Sequence, residues 1–142
     1  MFNIEYSTAI DLIFCVNIFL VSLIVITQIV SYPLFLRVGR SDFLGYHKFY
    51  TKQISYVVVL PMVLELFLSI YVLTIDVNWL TFTNITLLSV VWLSTFIIQV
   101  PIHNSLSVEY SGELVSQLIK TNWLRTSVWT VKLILIYMMS CS

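Results

Sequence analysis

Hydrophobic and polar positions along this chain fall into long apolar blocks separated by short polar ones, unlike the short-period pattern of a soluble domain. Uncharged runs extend from Leu12 to Leu36, from Gln53 to Leu64 and again from Leu66 to Ile75, from Val77 to Val108, and from Leu133 to the end. Several reach the roughly 20 residues a helix needs to cross about 30 Å of hydrocarbon. The pattern predicts four spans, at about residues 8–36, 51–75, 79–103 and 121–139. In the first span apolar residues surround the axis on all sides, as a lipid-embedded helix requires, and its polar members Asn17, Ser22, Thr27 and Gln28 suit hydrogen bonding to neighbouring helices.

The intervening blocks have patterns of their own. After the first span, Gly39 is placed to end a helix, and Ser41 or Asp42 to cap the next. Phe43, Tyr46, His47 and Tyr50 follow at i, i+3, i+4 and i+7, which predicts a short interfacial helix leading directly into the second span. Asp76 to Asn78 form a tight connection, with Trp79 anchoring the next span at the interface. Leu106, Tyr110, Leu114 and Leu118 line one side of a second amphipathic segment, with Glu109, Glu113, Gln117 and Lys120 on another. The expected fold is therefore all-α: an antiparallel four-helix transmembrane bundle in one domain, with two short amphipathic segments in the connections 37–50 and 104–120. A weak internal repeat sets Gln28 with Pro33 against Gln99 with Pro101.

Composition sharpens the class. Hydrophobic residues make up 59% of the 142 and charged residues 10%, against roughly 45–50% and about 25% in soluble domains. The apolar runs make the lipid bilayer the expected partner, beside a small hydrophobic ligand; the zero formal net charge points to no partner, and with no basic tract no nucleic acid is expected. Arg37, Arg40, Lys48, Lys52, Lys120 and Arg125 all lie at the first and third connections, whereas the opposite side carries only Glu5, Asp11 and Asp76. The positive-inside rule then predicts a multi-pass protein of the cell (inner) membrane, with both longer connections cytoplasmic and both termini outside. No basic region precedes the first apolar run, so it is expected to stay as a helix and not to act as a signal peptide. Cys15 and Cys141 lack metal-type spacing and are expected as buried apolar side chains, a disulfide between them being the alternative.

Candidate chemistry centres on Gln99-Val100-Pro101-Ile102-His103-Asn104, where an apolar segment closes with two amides, a proline and an imidazole. His47, Asn122 and Arg125 belong to the same level of a bundle, with Gln28 and Gln99 one or two turns deeper and Trp123 and Trp129 flanking Arg125. Together they predict a polar pocket on the cytoplasmic side that binds a ligand or moves a proton, His103 and His47 being the candidate bases. The alternative is that these groups only cap helix ends and meet headgroups. Two histidines without a carboxylate or cysteine at the same depth do not complete a metal site, and Glu65 stands about 27 Å from His47 along a continuous helix. No cofactor is expected. Glu65 sits mid-span, where a carboxylate costs at least ~2.5 kcal/mol, and Lys132 on the last span is its expected partner. The pair serves either as a structural tie or in proton relay.

Several motifs carry a family resemblance: Tyr32-Pro33-Leu34-Phe35 with Val38-Gly39, Phe43 to His47, Pro61 to Glu65, Gln99 to Asn104, and Asn122-Trp123-Leu124-Arg125-Thr126 with Trp129-Thr130. In this order the chain resembles a group of bacterial four-helix membrane proteins that form a domain of unknown function, distantly similar to the anthrone-oxygenase-like superfamily. The resemblance implies cofactor-independent oxidation of an aromatic substrate, with His103 or His47 as base and Asn or Trp beside the substrate. Lys132 stands where the group leads one to expect arginine, keeping the charge but losing bidentate geometry. Three functions stay open: a ligand-binding membrane protein acting as such an oxidoreductase, a proton-linked transporter or its subunit using Glu65 and Lys132, and a non-catalytic accessory subunit. No nucleophile triad, phosphate loop or complete metal set decides the enzyme question.

Overall fold

The computed structural model describes residues 5–141. The described residues fold into four helices: α1 (Tyr6–Leu34), α2 (Arg40–Ile75), α3 (Trp79–Leu106) and α4 (Gly112–Ser140). Of these, α1, α2 and α3 are long and apolar enough to cross a membrane. The fourth, which carries Arg125 and Lys132 on its buried face, is not among them.

The helix boundaries differ from the sequence pattern in instructive ways. The first helix stops at Leu34 because its end tightens: Leu36 N–H donates to Pro33 O at 3.2 Å and Arg37 N–H to Leu34 O at 2.8 Å, turning Phe35 inward. Gly39 has φ −57° and does not take the left-handed conformation of a C-cap; it is the N-cap of α2, and Ser41 and Asp42 lie inside the first turn. The segment from Phe43 to Tyr50 is therefore not a separate interfacial helix but the start of α2. Likewise α4 begins at Gly112, behind Ser111, whose hydroxyl accepts from Leu114 N at 3.3 Å. The expected boundary at residue 121 does not exist, since no glycine or proline interrupts the run from Leu114 to Ser140. Asn78 caps α3 through a capping box with Thr81.

Two π turns, Thr27–Ser31 and Thr95–Gln99, are the main departure from the expected plain helices. Each is followed two residues later by a proline, Pro33 or Pro101. A proline has no N–H to donate and its ring crowds the carbonyl four residues back, here Ile29 or Ile97. The helix relieves this by widening, with Tyr32 N–H bonded to Thr27 O and Val100 N–H to Thr95 O, five residues apart. Thr27 and Thr95 open their π turns alike, each hydroxyl donating to a carbonyl four residues back at 2.8 Å. The repeat thus aligns these threonines and prolines. Gln28 and Gln99 hold different positions in their π turns and are not equivalent.

Each helix packs on the next and α4 returns onto α1. Between them, apolar and polar layers alternate along the axis. Ala9, Ile10, Ile13, Val72 and Ile136 fill one end, Leu20, Met62, Val91 and Trp129 the middle, and Phe35, Phe43, Leu106, Val115 and Leu118 the other end. The outward faces are apolar: Leu60 is 73% exposed, Phe67 66% and Ile97 67%. Asn17, Glu65, Asn84 and Lys132 are wholly buried, so the usual polarity of a water-soluble bundle is reversed. Cys15 and Cys141, expected inside, are free and on the outer surface, where neither packs as core.

Candidate functional site

Two buried polar systems occupy the interior. In the first, one residue from each helix meets the others. Glu65 on α2 pairs with Lys132 on α4 at 3.3 Å, both wholly buried. Asn17 on α1 donates to Glu65 Oε1, Lys132 donates to Asn84 Oδ1 on α3, and Trp129 Nε1 donates to Glu65 Oε2 at 3.2 Å. Asn17 and Glu65 are 48 residues apart, and so are Asn84 and Lys132. Each half of the chain therefore supplies an asparagine and the charge it holds, and the ion pair joins the halves. Trp129, expected only as a pocket wall, thus links this clasp to the second system.

The second system lies toward the first and third connections. Phe35, turned inward by the tightened end of α1, meets the edges or faces of Phe43, His47 and Tyr50 at ring-centroid distances of 5.9, 5.3 and 5.1 Å. Such aromatic pairs add about 0.5–1.5 kcal/mol each beyond area burial. His47 is held between the stacked ring of Phe43 at 5.4 Å and that of His103 at 5.2 Å, which fixes its plane.

A continuous hydrogen-bonded chain runs through these rings. Arginine can only donate and a main-chain carbonyl can only accept, so the two ends set the direction. With neutral imidazoles one polarity satisfies every link. Arg125 Nη2–H donates to Tyr32 Oη at 3.3 Å, and Tyr32 O–H to His103 Nε2 at 3.0 Å. His103 Nδ1–H donates to His47 Nε2 at 3.0 Å, and His47 Nδ1–H to Ser107 Oγ at 3.2 Å. Ser107 O–H closes the chain on His103 O at 2.8 Å. Both histidine tautomers follow from this network. Arg125 is positioned in turn by Asn122 Oδ1, which accepts from Nε at 3.0 Å and from Nη2. Asn122 donates to Gln28 Oε1 at 2.8 Å, and Gln28 to Ile119 O at 3.0 Å.

Beside this chain is a cavity of about 290 Å³. Leu20, Leu23, Ile24, Ile54 and Val58 give it an apolar side, and Tyr32, Thr95, Gln99, His103 and Arg125 a polar one. Of the sequence-derived candidates, His103, Gln99, Arg125 and Trp129 border the cavity, and Asn104 lies at its exposed rim. His47, Asn122 and Gln28 stand behind that wall, holding or continuing the hydrogen bonds. Trp123 does not belong: it is 53% exposed on the outer face of α4, two positions from Arg125 and so on the other side of the helix. Tyr32, Thr95, Ser107, Asn17 and Asn84 were not legible as site residues. The 48-residue step shared by the two asparagines is a signal that could have exposed the last two. Among the described residues no cluster of three His, Cys, Asp or Glu could hold a metal ion.

No family model matches the chain, and no curated protein or solved structure is significantly similar to it.

Proposed function

We propose that the chain is an integral membrane protein, an antiparallel four-helix transmembrane bundle whose cavity takes up a small hydrophobic, aromatic ligand and exchanges a proton with it through Tyr32 and His103. Membrane residence is supported by apolar outward faces around a polar interior, and by three helices of spanning length. A cytoplasmic side for the first and third connections, with the termini outside, is supported by the clustering of basic residues at those two connections.

The observation that carries the function is the directed chain from the cavity wall through His103 and His47 to Ser107. A ligand O–H that passes its proton to Tyr32 displaces the Tyr32 proton onto His103 Nε2. Nδ1–H of His103 then moves to His47 Nε2, so that the proton rests on His47 as an imidazolium whose Nδ1–H stays donated to Ser107 Oγ, beside the connection to α4. The family resemblance extends this to oxidation of an aromatic substrate, with proton abstraction as the only step these residues supply. The Glu65–Lys132 clasp favours a structural role over transport, since both carboxylate oxygens and the ammonium are engaged by residues of other helices.

The test uses 2-naphthol, an aromatic alcohol that becomes a strong acid when excited, bound to the full chain in nanodiscs. Saturable binding with naphtholate emission is expected, and His103→Phe should retain binding but emit as neutral naphthol. No binding above protein-free discs, or unchanged emission in a folded His103→Phe variant, sinks the proposal.

A further inference from the structure

Arg125 is a buried cation without a counter-ion. It is 8% exposed, and among the described residues the only ion pair is the one between Glu65 and Lys132. Its partners are all neutral: Asn122, Tyr32, and Thr95, whose Oγ1 accepts from Nη1 at 3.3 Å. These contacts engage four of the five guanidinium N–H groups, leaving one on Nη1 unused. A buried charge is ordinarily balanced by an opposite one, because desolvation otherwise goes uncompensated.

A second observation points to the same cavity. Gln99 is 2% exposed and its Oε1 has no hydrogen-bond partner. Its amide orientation follows from Thr121, whose hydroxyl proton is donated to Gln117 O at 2.8 Å, so that Oγ1 is left to accept from Gln99 Nε2 at 3.0 Å. Both Arg125 and Gln99 line the cavity, whose remaining lining combines aliphatic side chains with neutral hydroxyl, amide and aromatic groups and holds no carboxylate. Its polar wall thus lacks a negative charge and one hydrogen-bond donor.

Resting on the pocket reading above, we propose that the ligand is a hydrophobic organic anion: a carboxylate or phenolate on an apolar body, with its charge against Arg125. The size of the body follows from volume. An apolar cavity of about 150 Å³ holds benzene, so about 290 Å³ accommodates roughly two fused rings or a short alkyl chain. A weak acid arriving neutral from the lipid loses its proton to the Tyr32–His103–His47 chain and remains as the anion paired with Arg125. Gln99 Oε1 accepts from a further donor on the ligand.

The experiment compares 2-naphthoate with 2-acetylnaphthalene, a neutral isostere in which methyl replaces one carboxylate oxygen, by titration into the full chain in zwitterionic nanodiscs with protein-free discs subtracted. Decanoate as a third arm separates an aromatic acid from a fatty acid as the source of the anion. At least about tenfold tighter binding of one of the two anions than of the ketone is expected. Arg125→Gln should erase that preference, and Arg125→Lys should retain part of it. Ketone binding as tight as that of both anions overturns the anion assignment and leaves the pocket standing. Failure of all three probes to bind overturns both. The wild-type comparison decides the question even if the Arg125 variants do not fold.

Discussion

Breaking the clasp one charge at a time should cost far more than removing both charges together. Lys132→Met leaves the Glu65 carboxylate buried with Asn17 and Trp129 as donors but no cation. An uncompensated buried charge costs about 3–5 kcal/mol, and Asn84 Oδ1 also loses its donor, at about 1–3 kcal/mol. Glu65→Gln leaves Lys132 with neutral amide oxygens and no counter-charge and should cost a similar ~3–5 kcal/mol. In the double variant no charge remains, and only amide atoms left without partners count against it, at about 1–3 kcal/mol. The coupling between the two positions should therefore be at least ~3 kcal/mol. Hydrogen bonds inside membrane proteins average only ~0.6 kcal/mol, so neutral bonding cannot produce a coupling of that size. The assay is equilibrium unfolding in mixed micelles by titration with a denaturing detergent, followed by tryptophan fluorescence, on wild type, both single variants and the double. Effects that add within ~0.5 kcal/mol would show that the ion pair does not tie the bundle. The exchanged pair, Glu65→Lys with Lys132→Glu, probes the repeat. Asn17 and Asn84 can each present either end of an amide, but Trp129 Nε1–H loses its acceptor. This variant should fall about 1–3 kcal/mol below wild type and above both singles.

Two further outcomes test register and orientation. Pro33→Ala or Pro101→Ala restores a main-chain donor, so the π turn should close to an α turn and rotate the residues on its two sides by about 100° relative to one another. Naphtholate emission from bound 2-naphthol should then be lost with the helices intact by circular dichroism; unchanged emission would show that the π turns do not set the site's register. In a Cys15→Ala, Cys141→Ala background, Val77→Cys should react with an impermeant maleimide in intact cells and Ser41→Cys only after lysis. Reversed labelling would invert the proposed topology.

Much of the site was visible one residue at a time. His47, His103, Asn122 and Arg125 stand out because polar groups are few in so apolar a chain, and their three- and four-residue steps place them on inward faces. Trp123 was misplaced because proximity to Arg125 in sequence does not put two residues on one side of a helix. Tyr32 looked like an interfacial aromatic because its partners, His103 and Arg125, come from distant parts of the chain.

Sequence alone determined the all-α class, the long apolar helices, and the presence of charges that must find partners inside. Those are consequences of hydrophobic content and main-chain hydrogen bonding, which act locally and leave their mark residue by residue. The tertiary structure decided how the polar groups combine. Glu65 is held by two other helices at once, Arg125 is left without a counter-ion, and the rings of His103 and His47 join into one directed chain. Each of these depends on sub-ångström placement across helices and on two π turns that alter which face a residue presents. Those rotations come from strain around Pro33 and Pro101, yet Pro61 lies within α2 without one. Packing against the other helices decides between these responses, and no single helix encodes it.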